Sequence, residues 1–188
     1  MDVPDEVKYY TAFLKRCGSN FLSLVLSRFS PDTFYGTWNQ VATSRSTSSL
    51  GTGTALKSVQ AVYGPQGSSV SVLNSAIAPG GIPITIKGTS YPVLASIPTC
   101  RKVVFPSARP GSPGDYWIVY ISSDGLTLIV GAPLITEGCL VSPSFGLYII
   151  TKKTREEYWA DTAELKNISN VCKKLGYNQC WNLPVRTD

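Results

Sequence analysis

From Thr33 to Thr151 the chain keeps returning to one pattern, a short apolar run followed by a turn. Eight such runs can be read, at 36–43, 55–63, 69–77, 82–87, 101–105, 116–121, 126–130 and 145–151. The breaks between them are turn chemistry: Gly64-Pro65-Gln66-Gly67, Pro79-Gly80-Gly81, the Pro- and Gly-rich stretch 106–114, and Ser122-Ser123-Asp124-Gly125, whose Asp-Gly pair favours a tight hairpin. With 16 Gly and 13 Pro, and with Ser, Thr, Val, Ile and Tyr filling the runs, the stretch reads as strands joined by hairpin-length links. An up-and-down meander of this kind leaves two unpaired edges until it closes on itself. The expected fold is therefore all-β, an eight-stranded antiparallel up-and-down barrel.

The flanks read differently. Residues 1–33 form an N-terminal arm in which Val7, Tyr10, Leu14 and Cys17 recur at helical spacing, with a second apolar stretch over 21–29 before Pro31-Asp32 turns the chain. After the eighth run, Thr154-Arg155-Glu156-Glu157 has the form of a capping box. Tyr158, Leu165, Ile168, Cys172 and Leu175 then line one face up to Gly176, which predicts one helix over about 155–175 packed on the outer wall of the barrel. The organisation expected is an arm at 1–33 and one domain at 34–188, with the barrel over about 34–151 and a tail, 177–183, that could add a further short strand.

At 188 residues the chain suits a single core. It contains no histidine, so neither a Ser-His nor a Cys-His catalytic pair can be built from it, and no metal site or cofactor is expected. The net charge is +5, but the densest basic group, Lys152, Lys153 and Arg155, is broken at once by Glu156 and Glu157. No basic stripe interleaved with aromatics could track a phosphate backbone, so no nucleic-acid partner is expected; peripheral contact with an anionic membrane stays open. The acids of the strand region, Asp115, Asp124 and Glu137, fall in or beside expected turns, where a solvated role is the ordinary one. Five cysteines, Cys17, Cys100, Cys139, Cys172 and Cys180, contain no C-x-x-C pair and leave at least one thiol unpaired within the chain. The start shows no secretory leader, and Asn167-Ile168-Ser169 is a glycosylation sequon. The expectation is an extracellular protein in mature form, or else a cytoplasmic one with idle thiols.

Phe34-Tyr35-Gly36-Thr37-Trp38 opens the first run after an N-terminal arm, and this resembles the Gly-x-Trp signature of lipocalins. Further segments match that family in order: Ala61-Val62-Tyr63, Val70-Ser71-Val72-Leu73-Asn74, Ile86-Lys87-Gly88, Gly114 to Val119, Leu126 to Val130, and Leu147 to Lys152 directly before the helix. The resemblance spans about 33–178 and is closest to the branch with apolipoprotein D and the bacterial outer-membrane lipocalins. Where the family usually sets an arginine over the signature tryptophan, this chain has Lys152.

The resemblance implies a hydrophobic small-molecule ligand held inside the barrel: a fatty acid, lysolipid, sterol, retinoid, carotenoid or bilin. It implies Tyr63, Asn74 and Tyr148 as pocket residues, Gly36, Trp38 and Lys152 as the structural base, and a disulfide between Cys17 and Cys139. Strand alternation from Trp38 adds Gln40 and Ala42 on the first run, Ala61 on the second and Val72 on the third, with Tyr116 and Ile118 from the sixth. Two other functions fit the same chain: a lipocalin-fold enzyme or chromophore lyase, and an interaction module using the open-end loops and the arm. A monomer or a dimer is expected.

Overall fold

The eight expected strands all form, and they close. The structure, a computed structural model, describes residues 2–44, 47–48, 51–52, 56–107, 113–131, 135–136, 139–140, 146–177 and 185–186. The barrel strands are β1 (Gly36–Thr43), β2 (Lys57–Gln66), β3 (Ser69–Ala78), β4 (Ile82–Leu94), β5 (Ile97–Val104), β6 (Gly114–Ile121), β7 (Thr127–Gly131) and β8 (Leu147–Thr151). Each pairs antiparallel with the next, and β8 returns to β1 with Thr151 opposite Asn39 and Tyr148 opposite Thr43. A ninth strand, β9 (Val185–Arg186), adds to β1 beside Ala42 and Thr43. The expected tail strand at 177–183 lies outside the described residues beyond Tyr177.

Register fixes which side chains face inward. Trp38, Ala61, Asn74 and Ile86 form one cross-strand row, and Tyr63, Val72 and Gly88 the next. Arg101 stands opposite Tyr116, and Ile118, Val130, Tyr148 and Thr43 make a further row. Here simple alternation fails on β1. A bulge between Gln40 and Ala42 shifts β1 by a residue, so Ala42 pairs with Ile149 while Thr43 pairs with Tyr148. A matching bulge lies between Ile118 and Tyr120. The face shared by Ala42, Ile149 and Ile129 is the outer one, since Tyr120 in that row bonds Glu164 of the covering helix. Ala42 therefore does not share the inward face of Trp38 and Gln40; Thr43 takes that place, because a bulge flips every later side chain.

Strand β4 is longer than the run expected at 82–87 and passes straight through Gly88 and Pro92. Both residues look like breakers in a sequence but have fixed jobs here. A Cβ on Gly88 would overlap the Val104 carbonyl oxygen and stand 2.6 Å from Phe105 Cδ1, so only glycine lets β5 lie this close. Pro92 sits at the edge of a ladder irregularity between Pro92 and Leu94, where a missing donor is tolerated. Gly88→Ala is accordingly expected to destabilise the fold by about 1–3 kcal/mol through overpacking, read as a lower urea midpoint.

The arm is part of the core. Helices α1 (Asp5–Lys15), α2 (Phe21–Arg28) and α3 (Pro31–Phe34) precede the barrel. Val7, Tyr10, Phe13 and Leu14 are buried against the wall, where Trp117 meets the rings of Tyr10 at 5.4 Å and Phe13 at 5.9 Å. Tyr10 Oη donates to the Ile118 carbonyl over 2.6 Å, and Lys102 on the outer face of β5 pairs with Glu6 and Asp115. Arg28 donates to the Ile121 carbonyl and Arg16 to that of Leu175, so the arm touches both barrel and C-terminal helix.

The single helix expected over 155–175 is two. Helix α4 (Arg155–Ala160) starts on the expected capping box, with Thr154 and Glu157 bonded reciprocally. Asp161 then leaves helical geometry, and its carboxylate accepts the Glu164 N–H to cap α5 (Thr162–Lys174). Asp161-x-x-Glu164 is itself a start signal in mid-helix. The end is as expected: Gly176 at φ +105 carries a Schellman turn, with Tyr177 N–H on the Cys172 carbonyl and Gly176 N–H on that of Lys173. Among the described residues no helix is long and apolar enough to cross a membrane.

Candidate functional site

One end of the barrel is stopped by the approach of the chain to β1. Trp38 is fully buried and donates its indole N–H to the Phe34 carbonyl at 2.8 Å. Lys152 Nζ lies 4.9 Å from the centre of the Trp38 ring and donates to the Tyr35 and Thr33 carbonyls. The ammonium thus covers the indole face as a point charge tied to backbone oxygens, and burial lowers its pKa. Gly36, at φ +114, makes the bend that brings the Thr33–Tyr35 carbonyls under this cation.

Above that base, Phe34 enters the barrel and stacks on Tyr63 with ring centres 4.4 Å apart. Tyr63 on β2 reaches across to Tyr116 on β6, and the two hydroxyls hydrogen-bond each other. Burial pushes the Tyr63 phenol up to about 12 and that of Tyr116 well above its ordinary value, so both stay protonated and able to donate. Arg101, neighbour to Tyr116 on β5, completes this layer; its guanidinium stands 5.9 Å from the Phe34 ring centre.

The upper wall is built differently. Register turns Ala61, Val72, Asn74 and Ala76 inward, and Tyr148 with Thr43 faces them from β8 and β1, while Ile118, also inward, lies below Tyr116 toward the hairpin at 122–125. Ala61 and Ala76 are too short to reach the middle. Asn74, Tyr116 and Tyr148 remain only half-buried although they face inward, as does Thr43. Gln40, opposite Ile150, is buried at the level between wall and base. All eight expected pocket residues, Gln40, Ala61, Tyr63, Val72, Asn74, Tyr116, Ile118 and Tyr148, thus share the inner face; Tyr63, Tyr116 and Ile118 belong to the lower lumen, Gln40 to the level between, and the others to the wall.

Arg101 and Thr43 were not legible as inner residues from spacing of apolar runs alone. For Arg101 a signal exists: in a strand, the adjacent pair Arg101-Lys102 must send one basic side chain inward. Lys102 took the outer face with Asp115.

The described thiols all lie outside the barrel lumen or at its covering helices. Cys100 faces the Glu6 carbonyl of α1, Cys17 the Val171 carbonyl of α5, and Cys172 sits on the buried face of α5. All three are free thiols, and burial raises them to about 12, about 11 and about 12 respectively, away from reactive thiolate. The side chain of Cys139, the expected partner of Cys17, and Cys180 lie outside the described residues.

Neither a protein-family model nor a curated protein sequence matches the chain. Solved structures do. Apocrustacyanin C2 is 15% identical, with 91% of this chain and 87% of that one covered at a TM-score of 0.62. Lobster apocrustacyanin A1 is 13% identical, covering 93% and 85%, also at 0.62. Insecticyanin from the tobacco hornworm Manduca sexta is 14% identical, covering 86% and 81%, at 0.56. Likeness at that identity speaks for architecture. Eight antiparallel strands closed up-and-down, a base sealed by the Gly-x-Trp segment, and a helix on the outer wall make this the lipocalin fold.

Proposed function

We propose that the barrel binds one hydrophobic small molecule in its upper lumen and carries or sequesters it. One observation carries the reading: Asn74, Tyr116 and Tyr148 point into a closed barrel and yet are half-buried, so the side chains do not fill the space they enclose. An apolar wall with a few hydroxyl and amide groups buries a greasy ligand and orients its polar end. A ligand losing roughly 300 Å² of apolar surface to such a wall gains several kcal/mol, enough for binding without any reaction. The resemblance to lipocalins supports the same reading, as do the ordered segments from Gly36 to Lys152, which resemble those of the apolipoprotein D branch. Carriage of that kind fits a secreted protein working as a monomer or dimer. The described thiols favour carriage over a thiol-based lyase, since each is protonated at neutral pH and none lies among the inward rows.

Native mass spectrometry of the purified protein, with organic extraction of whatever it holds, tests this. One bound mass per chain, displaced stoichiometrically by a fluorescent fatty acid, is the expected result. Ligand-free spectra together with unsaturable dye binding would rule it out.

A further inference from the structure

The floor of the barrel holds a charge with no counter-charge. Arg101 is 3% exposed, and among the described residues no carboxylate pairs with it. Its Nε–H donates to Ser90 Oγ at 2.9 Å, one terminal nitrogen to the Pro98 carbonyl at 3.0 Å and the other to the Ser90 carbonyl at 3.0 Å. A second hydrogen on each terminal nitrogen is left over. Burying an ion among neutral acceptors is costly, and here burial lowers the pKa of even a guanidinium.

The phenols are short of an acceptor in the same layer. Tyr63 and Tyr116 have two hydroxyl hydrogens, and their mutual bond uses one. The other is used by no hydrogen bond seen among the described residues. Arg101 is the direct strand neighbour of Tyr116, and its guanidinium lies on the Phe34 ring that stacks against Tyr63. Spare N–H and O–H donors and a positive charge therefore share one buried layer beneath an apolar wall.

We propose that this layer is an anion subsite, in which Arg101 and the Tyr63–Tyr116 pair receive the terminal carboxylate of an amphiphile bound head-down, its tail rising between Ala61, Val72 and Tyr148. The inference rests on the ligand-carrying reading above and names the class of ligand. Charge favours a carboxylate over a phosphate monoester: one guanidinium balances one negative charge, whereas a monoester brings about −1.5 to −2 at neutral pH. A phosphodiester would need space beyond the anion, on the side where the buried Phe34 and Trp38 stop the barrel.

The test compares a straight-chain fatty acid, its methyl ester and the alkyl phosphate of equal chain length, on the full chain and on Arg101→Met. The acid is expected to bind about ten- to a hundred-fold more tightly than the ester to the unmodified protein, and Arg101→Met to remove that advantage while leaving ester affinity in place. Acid and ester of equal affinity, or alkyl phosphate tighter than acid, overturn the subsite but leave the lumen reading standing. No binding of any of the three overturns both. Because Arg101 also ties β4 to β5, a second measurement needs no variant: the carboxyl ¹³C signal of labelled fatty acid bound to the unmodified protein. Ionisation persisting well below the pH at which the free acid titrates, with nuclear Overhauser contacts from the α-methylene to the Phe34 ring, is the expected result. Titration as in a lipid bilayer, or contacts from the terminal methyl to Phe34, would show the head pointing the other way.

Discussion

Trp38→Ala is expected to cost the barrel about 3–5 kcal/mol, the usual range for emptying a buried aromatic site. In a domain of this length that lowers the melting temperature by roughly 6–20 °C. The size follows from what the indole does. It is fully buried, its N–H satisfies the Phe34 carbonyl, and its face receives the Lys152 ammonium. Removing it leaves a cavity, an unpaired carbonyl and a half-buried cation without its ring. The effect should spread upward as well. Phe34 is held by that hydrogen bond, and Phe34 supports Tyr63. Differential scanning calorimetry gives the stability, and loss of the Tyr63–Tyr116 hydroxyl bond in NMR or a crystal structure gives the propagation. A variant melting within two or three degrees of the parent would mean that the base is not where the barrel is held.

Deleting residues 2–30 is expected to abolish cooperative folding rather than trim a dispensable arm. Val7, Tyr10, Phe13, Leu14 and Val25 are each at most 1% exposed, and burying side chains of this kind is worth about 1.5–3 kcal/mol apiece. Truncation bares the outer face around Trp117 and Cys100, which α1 covers, and removes the Tyr10 and Arg28 hydrogen bonds to the Ile118 and Ile121 carbonyls. A contiguous apolar patch exposed in this way promotes association. The measurement is thermal melting with size-exclusion chromatography: no cooperative transition, or aggregation, is expected. A monomeric truncated protein with a normal melt would return the arm to the role of a free interaction segment.

Most of the architecture was legible because it follows from local chemistry. Turn residues marked the hairpins, Asp124-Gly125 among them, and the capping box at Thr154 and the glycine at 176 set both ends of the C-terminal helical region. What escaped was decided by tertiary contact. The run expected at 82–87 stops short of Gly88 and Pro92, yet both lie inside β4, one because β5 packs too close for a Cβ and the other because an irregular ladder spares its donor. Period-two alternation placed Trp38 and Gln40 on the inner face but missed the bulge that sends Ala42 outward and Thr43 in; a bulge leaves no mark in apolar spacing. Asp161 was absorbed into a continuous amphipathic stripe although Asp161 and Glu164 spell a second cap. The inner face was legible to the extent that one row predicts the next, and Arg101 escaped because a buried cation breaks the rule that charge stays outside.

A hollow, apolar upper lumen underlies every ligand assignment made here, and crystals pressurised with xenon test for it without choosing a ligand. A dry apolar cavity takes up xenon, so density is expected inside the barrel between Ala61, Val72 and Tyr148, above the Tyr63–Tyr116 pair. Xenon found only at surface clefts, with ordered side chains packed through the barrel axis, would contradict it.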